Sequence, residues 1–287
     1  VETEEILGLS AFVITMAVLA SASISDWKER EVSDRHWMVL GIAGLIFAVS
    51  YSIYLTGFRW EYVCLAAGTA MIILDILWDR EFNPLAFYAV MALLFVVPLY
   101  PNMSEHIMIA WASIPLCYLI YVGMYILGIV RGGADVKCLV TLSVMFPLYP
   151  SFLGLPLVDI PGNIASQIFV LSISVLFLAA VMTVPVIMYF IARNAKAGGP
   201  SKRMFSGYRM EISKAESSDV WPIEDIIDGE PVSIKIPKDE DIPGIYARLR
   251  EAGREEVWVT PMIPFVIMIA AATAAIVLIG NPLFLIF

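Results

Sequence analysis

Histidine is nearly missing: His36 and His106 are the two in 287 residues. In the topology read below they fall on opposite sides of a bilayer, so a histidine-based zinc site lacks ligands and metalloprotease chemistry is set aside. The same scarcity argues against a serine hydrolase. Gly8-Leu9-Ser10-Ala11 offers a serine, but no histidine sits on a partner helix to activate it, and small residues in a packed transmembrane helix are the better reading. Cysteine is as scarce. Cys64, Cys117 and Cys138 all lie in apolar stretches without a Cys-x-x-Cys spacing, which implies buried packing residues and no disulfide framework. Charge is thin as well, at 16% of residues, with 18 basic against 27 acidic side chains.

What fills the chain is hydrocarbon. Sixty per cent of residues are hydrophobic and the mean hydropathy is +0.81, the composition of a polytopic membrane protein rather than a soluble domain. Eight apolar segments are legible: Ile6 to Ser25, Trp37 to Thr56, Tyr62 to Trp78, Leu85 to Tyr100, Ile107 to Val130, Val136 to Tyr149, Ile164 to Ile191 and Met262 to Ile279. Most approach the ~20 residues that a helix needs to cross the hydrocarbon. The sixth is short enough to be re-entrant. The first follows Val1-Glu2-Thr3-Glu4-Glu5, acidic where a secretory signal is basic, and is read as a retained span without cleavage.

The few basic residues set an orientation. If all eight segments span and the N-terminus is outside, the short inner loops hold Lys28, Arg30, Arg35, Arg80, Arg131 and Lys137, and the outer loops hold Arg59. Arg193, Lys196, Lys202 and Arg203, after the seventh segment, also fall inside. This is the positive-inside asymmetry, and it argues that the sixth segment spans. From about Ala195 to Thr260 the chain turns charged and turn-rich, with strands expected over Met204 to Ser213, Pro231 to Lys238 and Glu256 to Thr260, and a helix over Pro243 to Ala252. The acidic run from Glu216 to Glu230 could contact a basic ligand, but a solvated loop is the better reading. The expected architecture is an all-α polytopic membrane protein of about eight transmembrane helices, with a small cytoplasmic α+β domain before the last helix. Its parts are a membrane domain over 1–194, the cytoplasmic domain over 195–260 and a C-terminal transmembrane helix over 261–287.

Against this background two carboxylates stand out. Asp26 closes the first segment in Ser25-Asp26-Trp27-Lys28-Glu29-Arg30-Glu31-Val32, and Asp135 opens the sixth in Arg131-Gly132-Gly133-Ala134-Asp135-Val136-Lys137. The orientation puts both on the cytoplasmic edge. Glycine lets backbone bend and approach, and a helix starting near Asp135 points its positive end at that side chain. Two aspartates sharing a site do not both ionise freely, so one holds a proton while the other activates water, which suffices to hydrolyse a peptide bond. Asp75, inside the third segment, is a rival for the pair, because an intramembrane acid is a functional candidate by default.

These residues resemble a family. Asp-x-Lys-x-Arg-Glu-Val over 26–32, followed by Gly-Gly-Ala-Asp-x-Lys over 132–137, is similar to the Gly-x-Gly-Asp membrane aspartyl peptidases that process type IV prepilins, especially the archaeal preflagellin peptidase branch. The third position of that motif is Ala134 here, the next smallest side chain. The resemblance also takes in Val257-Trp258-Val259-Thr260-Pro261 at the entry to the last helix. It implies an aspartic endopeptidase with Asp26 and Asp135 as the catalytic pair and Gly132, Gly133, Ala134 and Lys137 as the catalytic loop. The chain has no cysteine-bearing N-terminal region like that of the bacterial enzymes, so peptidase activity without methylation is expected.

Family leaders are short and basic before the cut. Glu29, Glu31 and Asp34 after the first helix, with Asp79 and Glu81 after the third, form an acidic rim suited to such a leader, and Asp75 is a further candidate for helping to bind substrate. The rival role for Glu29, Glu31, Asp34 and Asp79 is pairing with Lys28, Arg30, Arg35 and Arg80. The expected partners are prepilin-like or prearchaellin-like precursors and the lipid bilayer, with no nucleic acid, no cofactor and no metal. The expected location is the plasma membrane. A presenilin-like protease would use the same dyad, but the chain lacks a Pro-Ala-Leu element before the last helix and a Tyr-Asp at the first acid. A transporter would show internal repeats or broken midplane helices, and neither is legible.

Overall fold

A computed structural model describes residues 3–78, 84–130, 132–158, 170–197, 205–234, 237 and 239–285. The chain divides into two compact units, Val1–Ala180 with Pro264–Phe287, and Val181–Ile263.

The first unit is a helix bundle. Its helices are α1 (Thr3–Glu29), α2 (Asp34–Thr56), α3 (Trp60–Leu77), α4 (Pro84–Leu99), α5 (His106–Ile126), α6 (Gly133–Met145), α7 (Leu171–Met182, running to the unit boundary) and, after the second unit, α11 (Phe265–Leu278). Six helical stretches among the described residues are long and apolar enough to cross a membrane: Thr3–Glu29, Asp34–Thr56, Trp60–Leu77, Pro84–Asn102, His106–Ile126 and Leu171–Ala195. The other two apolar segments form the short helices α6 and α11, of 13 and 14 residues. At ~1.5 Å per residue each is about 20 Å long, well under the ~30 Å hydrocarbon thickness.

The shortness of α6 has a packing reason. Every side chain from Cys138 to Met145 is buried, so this helix is apolar all round because protein surrounds it. Its closest neighbour is α2. A Cβ on Gly44 would stand 2.7 Å from the Met145 nitrogen and 2.8 Å from its Cα, so only glycine lets the two backbones meet there. Lys137 reaches Asp34 at the other end of the same contact, and α2 and α6 therefore run parallel. Beyond α6 the chain continues without helix to Phe152, whose ring lies 5.5 Å from that of Phe12 on α1. Residues 133–152 thus traverse the bundle from the Asp26 end of α1 toward its Glu4 end, where Tyr51 Oη donates to Glu4 Oε1 at 2.6 Å.

The basic residues follow the same axis. Lys28, Arg30, Arg35 and Lys137 gather at the Asp26 end. Arg59, between α2 and α3, lies at the opposite end, paired with Glu61 at 3.1 Å and Glu105 at 2.5 Å.

The second unit begins with the end of α7 and α8 (Val184–Ala197). One helix was expected to run from Ile164 to Ile191; its first residues lie outside the described ones, and the described part breaks at Thr183. Pro185 is the cause, having no amide to donate and a ring that crowds the carbonyl four residues back. Phe190 and Asn194 turn α8 toward the core of this unit: Phe190 packs on Tyr208 at 5.7 Å, and Asn194 Nδ2 donates to the Gly207 carbonyl at 2.7 Å.

Beyond α8 come β1 (Tyr208–Glu211), the short α9 (Ile212–Ala215), β2 (Val220–Pro222), β3 (Glu224–Ile227), β4 (Glu230–Ser233), α10 (Ile242–Glu251) and β5 (Glu256–Pro261). The strands form an antiparallel sheet in the order β1-β5-β2 and a separate β3-β4 hairpin. Asp228 and Gly229 turn that hairpin with φ of 53° and 80°, the left-handed pair that matches strand twist. Ile245 and Leu249, one turn apart on α10, close the core over Val257 and Val259.

The acidic run from Glu216 to Glu230 is not the solvated loop its composition suggested. It contains β2 and β3, and Asp225 is buried there against Arg248, whose Nε and Nη2 donate to it at 3.0 and 2.6 Å. Of the expected strand over Met204 to Ser213, Tyr208–Glu211 form β1, and of that over Pro231 to Lys238, Pro231 to Ser233 lie in β4; Met204, Lys235, Ile236 and Lys238 lie outside the described residues.

Candidate active site

α1 ends one turn beyond Asp26. Arg30 takes a left-handed φ of 56° and its amide donates to the Asp26 carbonyl at 3.2 Å, a helix-terminating geometry that leaves the half-buried Asp26 side chain at the rim of the bundle. Arg30 also covers the Trp27 ring at 5.7 Å. The Asp26 carboxylate has a partner from far along the chain: Oδ2 accepts from the Val266 amide at 3.2 Å, in the first turn of α11.

Asp135 is placed by the start of α6. Gly132 is its extended N-terminal cap (φ −79°, ψ 120°) and accepts from the Asp135 and Val136 amides at 3.2 and 3.3 Å. The Asp135 side chain folds back over Gly132 so closely that a Cβ there would stand 2.8 Å from Asp135 Cγ. Gly133 differs, since a Cβ on it would meet nothing within 4 Å. The two glycines therefore have separate roles. Gly132 makes room for the carboxylate, and Gly133 begins the helix.

The fold brings the two acids together. The carboxylate charge acting on Asp135 is that of Asp26, and the buried Cys138, one turn into α6, feels the charge of both. Lys137 points away from the pair to Asp34, with Nζ 2.6 Å from Oδ1. That contact joins the first turns of α6 and α2. Ala134 is half-buried between Gly133 and Asp135.

The remaining candidates are dispersed. Glu29 and Glu31 are exposed around the end of α1. Asp75 accepts from Tyr88 Oη at 3.1 Å and from Tyr118 Oη, which ties α3 to α4 and α5. Asp79, like Glu81, Arg80 and Arg131, lies outside the described residues. Among the described residues no group of three His, Cys, Asp or Glu side chains is arranged to hold a metal. His36 is engaged with Ser21 Oγ at 3.1 Å and the Ser33 carbonyl at 3.0 Å. An apolar cavity of about 50 Å³, lined by Glu4, Gly8, Phe47, Tyr51 and Phe146 among others, lies at the other end of the bundle and takes no part in this site.

Residues 13–91 match the profile of the Type IV leader peptidase family. The match includes Asp26 and stops short of Asp135. The chain is 25% identical to "Preflagellin peptidase" of Methanocaldococcus jannaschii in an alignment that covers 96% of both chains. The chain is related to the type IV leader peptidases. No solved structure matches it. With that relationship and its long apolar helices, it is a multi-pass membrane protein. Two contacts at the site left no trace in the sequence: the Val266 amide, a backbone group that any residue but proline supplies, and the Asp34–Lys137 pair, whose members are 103 positions apart.

Proposed function

We propose that this chain is a membrane aspartyl endopeptidase that removes short basic leaders from prepilin-like or prearchaellin-like precursors at the cytoplasmic face of the plasma membrane. The observation that carries the reading is the approach of Asp26 and Asp135 at one end of the bundle, in a relative of leader peptidases. Two nearby carboxylates divide the work of hydrolysis. One takes a proton from water as its oxygen adds to the scissile carbonyl carbon, while the protonated partner donates to the carbonyl oxygen. The roles then exchange as the C–N bond breaks and the amine leaves with a proton. The pair titrates as a unit, so neither acid is assigned the starting proton.

The basic residues at the Asp26 end support a cytoplasmic position for the pair. Exposed Glu29 and Glu31 at the same end suit the basic part of a leader, while its apolar continuation lies along the bundle in lipid. The test is co-expression of the full chain with a candidate precursor. A mobility shift to the mature length supports the reading, and an uncleaved precursor across prepilin-like and prearchaellin-like candidates contradicts it.

A further inference from the structure

The first turn of a helix leaves amides without intrahelical acceptors, and a Ser, Thr, Asp or Asn at the cap position commonly supplies one. α11 has Pro264 at its cap, with no side chain to accept. The acceptor its second residue finds is Asp26, 240 positions earlier, at 3.2 Å from the Val266 nitrogen. The carboxylate sits at the positive end of a 14-residue apolar helix. A bond between an ionised carboxylate and an amide is among the stronger kinds and fixes direction as well as distance. Its two other fixed points are known: α1 terminates at Arg30, one turn on, and Asp135 approaches from α6.

We propose that the Val266 amide is a positioning group for the reaction, holding the Asp26 carboxylate in its working orientation toward Asp135, so that the first turn of the last helix is part of the catalytic apparatus. This rests on the aspartyl reading above. It deepens that reading by giving the C-terminal helix a role that side-chain motifs do not announce.

Proline at 266 deletes the donor and also replaces the buried Val266 side chain, a packing change for which Val266→Ala is the control. The second residue of a helix needs no intrahelical acceptor, and α10 of this chain carries Pro243 at the same position. In the full-length protein assayed on a basic-leader precursor, Val266→Pro is expected to lower kcat roughly tenfold to a hundredfold, the range of a lost hydrogen bond to a charged group, with KM within about threefold of the parent. Val266→Ala, which keeps the amide, should recover most of kcat, and Phe265→Pro is the control for proline itself. Pro264→Ser supplies a second reading if Val266→Pro does not fold. A serine cap competes for the same amide while stabilising the helix, so kcat falls severalfold as thermal stability holds or rises. A purely structural contact predicts the reverse pairing, stability moving and kcat unchanged. Parent-level kcat in Val266→Pro, or in Pro264→Ser, overturns the inference, as does an equal loss in Phe265→Pro. If Asp26→Asn and Asp135→Asn remain active, the aspartyl reading fails. If they are dead and Val266→Pro is not impaired, the positioning role alone fails.

Discussion

Asp34 and Lys137 meet at 2.6 Å across the first turns of α2 and α6, two residues along from Asp135. Both side chains are partly exposed, at 49% and 26%, so the pair adds at most about 1 kcal/mol to stability. Its consequence lies in placement, because it fixes the α6 turn that carries Asp135. Asp34→Asn and Lys137→Met are each expected to lower kcat severalfold with little change in melting temperature. The exchanged pair, Asp34→Lys with Lys137→Asp, should recover part of that loss. If Asp34 instead held the leader, its neutralisation would raise KM for a basic leader and the exchange would restore nothing. Glu29→Gln with Glu31→Gln is the comparison, expected to act on KM and only when the leader is basic.

The two glycines before Asp135 should respond unequally. Gly132→Ala puts a methyl 2.8 Å from Asp135 Cγ, closer than unbonded carbons approach, and the carboxylate must move. A displacement of about 1 Å at a reacting group costs on the order of a hundredfold in rate. Gly133→Ala meets no neighbouring atom, and cleavage should stay within a few-fold of the parent. Comparing kcat for the two single variants tests the assignment, and equal losses would contradict it.

Gly44 predicts a defect in the bundle rather than at a side chain. A Cβ there meets Met145 backbone at 2.7 Å, and backbone cannot rotate away. Gly44→Ala should therefore destabilise the protein by about 1–3 kcal/mol, the usual range for overpacking, and lower cleavage by shifting α6. Thermal unfolding in detergent measures the first effect. An unchanged midpoint would show that α2 and α6 separate freely.

The bundle was legible because hydrocarbon is: the described part of each apolar run is mostly helical, and the acids at the ends of the first and sixth runs lie at one end of the bundle. Thr183 was not legible, since the apolar run continues through Val184 to Ile191 while Pro185 divides it and Phe190 turns to a different core. β2 and β3 were hidden by Glu224 and Asp225, whose charge reads as solvated until Arg248 is brought alongside by the fold. Such pairings depend on tertiary approach and leave no periodicity in the chain.

That Asp225–Arg248 contact gives the second unit a pH dependence. The hydrogen bonds from Arg248 hold the Asp225 carboxyl below the usual carboxylate range, outweighing its partial burial. A depressed folded value means that the contribution is fully present above the unfolded value of about 3.9 and is lost as pH falls through the folded one. Asp225→Asn should cost roughly 1 kcal/mol at neutral pH, discounted because Arg248 is half exposed. It should also flatten the acid loss of stability. Protease susceptibility of 181–263 between about pH 6 and pH 3 reads this out, and identical profiles for parent and variant would contradict it.

The most direct test of the whole account is cleavage of a basic-leader precursor by Asp26→Asn and Asp135→Asn in membranes containing equal amounts of folded protein. Each change keeps the side-chain shape and removes the titratable group. The account predicts that both variants leave the precursor at full length while the parent converts it. Near-parental conversion by either one, above all if Asp75→Asn were inactive, would contradict it.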